Sequence, residues 1–137
     1  VVVASKDALF GLSEVRLGVV PACVTPFLLK RTAAGRLRRW MLSGERFDAD
    51  IALSLGLVDL VVPAAEVMTA AYGIAKGMAL GAPGAQAVVK SLLDRMPDMT
   101  LSQALDHSVE VLAKLRAGPE AQKGTRAFLE KKPCSWE

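Results

Sequence analysis

The second half of the chain has the periodicity of amphipathic helices, and this feature restricts the fold most. Apolar residues recur there at spacings of three and four, as expected when one face of a helix is buried. Breaks fall at GAPG (81–84), at Met-Pro-Asp (96–98) and at Gly118-Pro119. Thr100 and Gln103 have the spacing of a capping box, which starts a helix. Helices are therefore predicted over 67–78, 85–96, 101–115 and 120–129.

Short strands are confined to the first half, where apolar and β-branched runs fit a parallel sheet. Two short helices follow the first strands, and Gly35 is expected to separate them. Leu37 and Trp40, in the second of these helices, are expected to face the core. The strands are predicted over 1–4, 9–11 and 57–63, and the two helices over 27–33 and 35–42.

One more helix is predicted from its two ends. Asp48 has the side chain of an N-cap, and Gly56 supplies the left-handed conformation that stops a helix. Between them, the apolar positions that share one face are Ile51, Ala52 and Leu55. The N-cap, the glycine stop and the strand that follows explain this segment by structure alone, so we interpret it as scaffold with no catalytic role.

Composition narrows the class of protein. At 137 residues, with 52% hydrophobic and 23% charged residues, the chain is one compact domain or less. Its net charge of +3 does not favour a nucleic-acid partner, and the Arg36, Arg38, Arg39 cluster is typical of a solvated helix face. Two cysteines form neither a disulfide framework nor a metal-ligand set. No apolar run is long enough to span a membrane and no signal peptide is recognisable, so we expect a cytoplasmic location.

Glu14 is the one carboxylate in an otherwise apolar segment that runs from residue 10 to residue 31. An ionised carboxylate buried without a partner costs several kcal/mol, so such a group is usually paired or lines a cleft where it has a chemical task. From the residues alone, a structural role is as well supported: the side chain would cap Val15 to Leu17 or pair with Arg16.

Three segments of the chain resemble one known family. They are FGLSEVRLGVVPA (10–22), LSGERFDADIALSLGLVDLVVP (42–63) and GTRAFLEKKP (124–133). In this order they resemble the enoyl-CoA hydratase/isomerase family, or crotonase superfamily, and the resemblance extends over essentially the whole chain. It corresponds to the C-terminal half of that family's domain, so the preceding ββα turns are expected to lie outside these residues. The implied fold class is α/β: the C-terminal portion of a crotonase ββα superhelix over 1–63, then a helical oligomerisation region over 64–137.

The resemblance implies a role for Glu14. In hydratases of this family the glutamate of F-G-x-x-E is one of two catalytic carboxylates beside the acyl chain, and Glu14 occupies that position. Adding water to an unsaturated thioester requires a base for the water proton and an acid for the α-carbon, tasks that two carboxylates can share. The second glutamate and the oxyanion-hole N–H groups are implied to lie in the other half of the domain. No metal or additional cofactor is implied.

The segment after Glu14 is implied to form the wall of the acyl pocket. Many hydratases have P-G-x-G-G-T here, whereas in this chain Pro21 is followed by the bulkier Ala22, Cys23, Val24 and Pro26. The predicted pocket residues are Pro21, Ala22, Cys23 and Val24. The change resembles two subgroups: hydratases of branched acyl-CoAs such as 3-methylglutaconyl-CoA, and dehydratases of polyketide β-branching, which act on a 3-hydroxy-3-methylglutaryl group on an acyl carrier protein. The expected activity is reversible hydration or dehydration of a branched 2-enoyl thioester, carried by coenzyme A or by phosphopantetheine.

Two residues invite catalytic roles that their type does not favour. Cys23 is interpreted as a buried structural cysteine, because free cysteines commonly pack as small hydrophobes. His107, the only histidine, is interpreted as a helix-surface or interface residue.

The tail carries a second set of candidates. Phe128 and Lys131 match the A-F-x-E-K positions that, in family members, help to hold the adenine nucleotide of CoA, often across a subunit boundary. A planar ring beside a cation suits adenine and phosphate. Alternatively, Phe128 anchors the terminal helix while Lys131 and Lys132 are solvated, and a carrier-protein donor would need no adenine contact.

Assembly is the last expectation. Family members form trimers or dimers of trimers through their C-terminal helices, and the wide apolar helix faces of this chain would suit such burial, so a homotrimer or hexamer is expected. This chain alone is expected to be incomplete and inactive. An alternative of another class is a non-catalytic assembly fragment that contributes only packing and oligomer contacts.

Overall fold

The first half of the chain combines short strands with short helices. The computed structural model describes residues 1–136 and divides the chain into two units, Val1–Gly73 and the residues from Ile74 onward. This division falls within a helix, whereas the sequence places it after Pro63. The elements of the first unit are β1 (Val3–Ser5), β2 (Leu9–Gly11), α1 (Thr25–Leu29), α2 (Ala34–Ser43), β3 (Arg46–Asp48), α3 (Ala49–Ser54) and β4 (Leu60–Val62).

The strands pair in two separate ways. β1 and β4 are parallel, with Ala4 opposite Val61, as the sequence predicts. Both strands differ from the predicted bounds. β4 begins later than predicted because the N–H groups of Leu57 and Val58 donate instead to the carbonyl of Ala52 in α3. β2 and β3 form an antiparallel pair that the sequence does not predict, with Phe10 opposite Phe47.

The core of this unit lies between the paired strands and α3. Its buried residues are Ala4, Phe47, Ala52, Leu55 and Val58. The ring centroid of Phe47 lies 5.8 Å from that of Phe10 and 4.9 Å from that of Trp40, distances typical of aromatic pairs. Leu37 is 1% exposed and Trp40 packs against the core, which confirms the predicted inward face of α2.

The ends of α3 are those predicted. The N–H of Ile51 donates to Oδ1 of Asp48 at 2.9 Å, so Asp48 is the N-cap. Gly56 follows the helix with φ of +79°, a conformation that other residues rarely adopt. The sequence therefore determines both ends of this element by local chemistry.

The predicted boundary between α1 and α2 is wrong. α1 begins at Thr25 rather than at residue 27, because Pro26 suits the first turn and the Thr25 hydroxyl donates to the carbonyl of Pro21 at 2.7 Å. α2 begins at Ala34 and includes Gly35 in its first turn, where the N–H of Arg36 donates to the carbonyl of Ala33 at 3.0 Å. Gly35 is therefore part of the helix and does not separate the two.

Asp59 and Arg31 connect the end of α1 to both parallel strands. Arg31 donates to the Gly56 carbonyl at 3.1 Å and to Asp59 Oδ1 at 2.8 Å. The N–H of Val2 donates to Asp59 Oδ2 at 2.6 Å. These hydrogen bonds, that from Val2 first and that from Arg31 second, lower the pKa of the Asp59 carboxyl.

We expect Asp59→Asn to destabilise this unit by about 1 kcal/mol or less at neutral pH, since the pair is partly exposed. Because the folded-state pKa of Asp59 is lowered, its contribution is present above the unfolded-state pKa and is lost as the pH falls through the folded-state pKa. Urea unfolding measured from neutral to acidic pH should thus show the variant and the wild type converging in acid. A difference that grows as the pH falls would contradict this assignment.

The second unit is helical, as predicted. Its helices are α4 (Val67–Met78), which begins in the first unit, α5 (Pro83–Arg95), α6 (Leu101–Arg116) and α7 (Pro119–Leu129). α5 and α7 begin earlier than predicted because each takes a proline at its first turn. Thr100 and Gln103 make the predicted capping box at the start of α6.

Two side chains connect the ends of these helices. Glu120, in the first turn of α7, accepts hydrogen bonds from the N–H groups of Gly84 and Ala85, at 3.0 and 3.1 Å, and so caps α5. Trp136 donates its indole N–H to the carbonyl of Leu80 at 2.8 Å. The segment after α7 therefore returns to the end of α4.

We expect Glu120→Gln to loosen this cap, because an amide offers one oxygen where the carboxylate offers two and carries no charge at the helix N-terminus. The expected loss is about 1 kcal/mol of stability in the second unit. Hydrogen exchange should then be several-fold faster at the Gly84 and Ala85 amides. Glu110→Gln, on the exposed side of α6, is the matched control and should leave these amides unchanged. Equal exchange in both variants would rule out the cap.

Candidate functional site

Glu14 lies in a short 3-10 helix, Ser13–Leu17. Gly18 ends this turn in the left-handed conformation, with φ of +76°, and its N–H donates to the Val15 carbonyl at 3.2 Å. The N–H of Val19 donates to the Glu14 carbonyl at 3.2 Å. The backbone from Glu14 to Val19 is thus held by hydrogen bonds.

The carboxylate of Glu14 is not used by the fold. Its Oε2 is buried and has no hydrogen-bond partner within residues 1–136. Arg16 does not pair with it, because the Arg16 Nε donates to the Ser43 carbonyl at 3.1 Å, at the end of α2. No side chain caps the 3-10 helix either. The two structural roles considered for Glu14 are therefore both wrong.

A cavity of about 360 Å³ begins at the neighbour of Glu14. Its size is that of a small ligand pocket, and its lining is apolar apart from one threonine. The lining residues are Val15, Val20, Pro21, Ala22, Thr25, Pro26, Met41 and Leu42. A carboxylate with a free oxygen beside an apolar cleft can hold or move a proton next to an apolar substrate.

Only two of the four predicted pocket residues line the cavity. Pro21 and Ala22 line the cavity, whereas Cys23 and Val24 are exposed and lie outside its lining. The expected burial of Cys23 is wrong. The N–H of Thr25 donates to the Pro21 carbonyl at 3.1 Å, and this tight turn leaves the intervening side chains at the surface.

Met41 and Leu42 form a wall that the sequence analysis misses. Leu42 lies five positions after the buried Leu37, which is about 140° around the helix from the core face. An apolar residue this far from the core face of α2 indicates that the helix has a second apolar contact, and this pattern could have identified the cavity wall from the sequence.

The tail residues lie at the end of α7, in the second unit. Phe128 is 80% exposed, so it does not anchor the terminal helix within the described residues, whereas Lys131 and Lys132 are exposed as the alternative expects. Lys131 has φ of +54°, and its N–H donates to the Phe128 carbonyl at 3.1 Å. A large ring and a lysine are thus presented together at the surface.

The described part of the chain holds no group of three or more His, Cys, Asp and Glu side chains that could bind a metal ion. None of the helices described there is long and apolar enough to cross a membrane. A larger cavity, of about 680 Å³, is lined by residues of the second unit alone and by none of the residues around Glu14.

Comparisons with known proteins agree with one another. The family model "Enoyl-CoA hydratase/isomerase" matches residues 1–137. The 2,3-dehydroadipyl-CoA hydratase of Escherichia coli is 32% identical over 133 residues, which are 96% of this chain and 52% of that protein. Two crystal structures cover 98% of the chain: an enoyl-CoA hydratase/isomerase from Marinobacter aquaeolei, with 36% identity and a TM-score of 0.91, and an enoyl-CoA hydratase from Shewanella pealeana, with 35% identity and a TM-score of 0.90.

The chain covers 51% and 50% of those two structures and about half the length of the curated relatives it matches. The predicted fold class, the C-terminal portion of a crotonase fold followed by helices, is confirmed by these structural matches.

Proposed function

This chain belongs to the enoyl-CoA hydratase/isomerase family, and from that membership we propose that it forms one wall of a site that hydrates or dehydrates an enoyl thioester. The observation that carries the proposal is the buried, unpartnered Oε2 of Glu14, in the residue that directly precedes Val15 of the apolar cavity lining. A carboxylate that no structural contact satisfies is suited to exchange a proton with a reactant.

In the hydration direction, the water oxygen bonds to the β-carbon and its proton passes to a carboxylate, while the α-carbon receives a proton. Glu14 holds or moves one of these two protons at Oε2, and a second carboxylate outside this chain handles the other. Two carboxylates in different environments can hold different pKa values and divide the work. Dehydration reverses every step.

We further propose that the acyl group is branched. The cavity lining includes Ala22, Pro26 and Met41, and the first two of these stand where many hydratases have smaller or polar residues. Such side chains give apolar contact to a methyl branch and restrict long straight chains. Cys23 and Val24 stay predicted contacts, now from the exposed side of the same turn.

The complete protein that contains this chain tests the proposal. It should hydrate 3-methylglutaconyl-CoA with a kcat/KM about tenfold or more above that for crotonyl-CoA, because a well-filled pocket discriminates one methyl group by about 1–3 kcal/mol. The same acyl group attached to an acyl carrier protein is the second substrate to be tested. Hydration of neither thioester by a folded complete protein would favour a non-catalytic assembly role instead.

The carrier is proposed to be coenzyme A, bound by Phe128 and Lys131. Their exposure supports this, because a ring that no neighbour in the chain covers is free to contact adenine. Phe128→Ala should raise KM for the CoA thioester about tenfold and leave the pantetheine thioester unchanged. Leu129→Ala, 74% exposed beside it, is the matched control. Equal KM in both variants would instead favour the carrier-protein donor.

A homotrimer or hexamer is proposed from the outer face of α6. Four apolar side chains at helical spacing are exposed there, by 58–77%, a pattern typical of an interface. They are Leu101, Leu105, Val109 and Leu112. The cytoplasmic location stays a prediction.

A further inference from the structure

The cavity of about 680 Å³ in the second unit has the size of a ligand pocket, and its lining contains none of the residues around Glu14. It lies among α5, α6 and α7, and its apolar lining includes Val88 and Leu92 from α5 and Val111 and Leu115 from α6. A groove of this kind has room for an alkyl chain.

Hydrogen bonds between segments distant in sequence hold two of the residues that line this cavity. Glu120 and Trp136 both line it. The Glu120 carboxylate caps α5, and the Trp136 indole donates to the Leu80 carbonyl. The cavity is therefore framed by contacts distant in sequence rather than by a loose gap between helices.

Most titratable side chains in the cavity lining are basic. Arg95, His107 and Lys114 line it, and none of these three side chains has an ion-pair or hydrogen-bond partner within residues 1–136. The one acid in the lining is Glu120, and both of its oxygens already accept backbone hydrogen bonds. The cavity thus presents basic groups without counter-charges beside an apolar groove.

We propose that this cavity binds an amphipathic monocarboxylate, a straight-chain fatty acid anion, with its chain along the apolar lining and its carboxylate at Arg95 and Lys114. Charge complementarity favours an anion, and the apolar lining favours an alkyl chain. A nucleotide fits less well. The Nζ of Lys123 lies 5.9 Å from the centroid of the Trp136 ring, and a side chain at position 124 would meet the edge of that ring, so Trp136 is already engaged.

Isothermal titration of the complete protein with decanoate tests this site, with decanol and decylamine as probes of the same chain and different charge. Decanoate should bind saturably, one per chain, and about tenfold more tightly than either analogue. Val88→Trp, which fills the groove, should weaken decanoate binding at least about tenfold. Val89→Trp, on the exposed side of α5, is the matched control and should bind as the wild type does. The double variant Arg95→Met, Lys114→Met should lose the preference for decanoate over decanol.

Several results would overturn the site: no saturable binding of decanoate below its aggregation concentration, binding of decanol or decylamine as tight as that of decanoate, or equal binding of decanoate by the two tryptophan variants. If Val88→Trp loses the helical circular dichroism of the wild type, Ala121→Leu fills the same cavity with less volume and replaces it in the comparison.

Discussion

Glu14→Gln in the complete protein is expected to lower kcat for thioester hydration by about a thousandfold, because an amide can neither accept nor release the proton that the step requires. KM should change little, since the amide has the size of the acid. The same variant should fold normally, because Oε2 has no hydrogen-bond partner to lose within the described residues. The measurement is steady-state hydration of a 2-enoyl-CoA, with thermal unfolding of the same samples.

The matched control is Glu66→Gln. Glu66 also lies in the first turn of a short 3-10 helix, but it is exposed. This variant should retain wild-type kcat. Undiminished turnover by a folded Glu14→Gln variant would remove Glu14 from the chemistry.

Ala22→Trp is expected to have the second largest effect. Ala22 lines the small cavity beside Glu14, and an indole there would occupy the volume proposed for the acyl group. We expect kcat/KM for the branched thioester to fall about a hundredfold, with most of the loss in KM, because the substrate is excluded rather than the chemistry changed. Kinetics with thioesters of increasing acyl size measure this.

Ala33→Trp provides the control for this change, since Ala33 is exposed at the start of α2 and outside the cavity. Its kinetics should match those of the wild type. If Ala22→Trp hydrates the branched thioester as well as the control does, the acyl group does not bind in this cavity.

Much of the fold follows from local chemistry that can be read in the sequence. The Asp48 cap, the Gly56 stop and the Thr100–Gln103 capping box each involve residues close in sequence, and all three are present in the structure. The strand β3 is different. Its segment Arg46–Asp48 has one apolar side chain, Phe47, and becomes a strand only because Phe10 of a distant segment lies opposite it.

The candidate site was predictable in part. The apolar surroundings of Glu14 draw attention to it, but its proposed task comes from the family resemblance and not from spacing. The far wall of the cavity, from Met41 and Leu42, depends on how the Glu14 turn packs against α2. Cys23 was misjudged for the same reason, because residue type indicates burial on average while the turn at Pro21 determines it here.

The most direct test of hydration at the Glu14 site is the fate of solvent oxygen. The complete protein is incubated with a 2-enoyl-CoA in water enriched in heavy oxygen, and the product is weighed by mass spectrometry. We expect one heavy oxygen per product molecule, at the β-carbon, and a loss of this product in Glu14→Gln to about a thousandth of the wild-type rate. Conversion of the substrate without any incorporated oxygen, as in a shift of the double bond, would contradict hydration at this site.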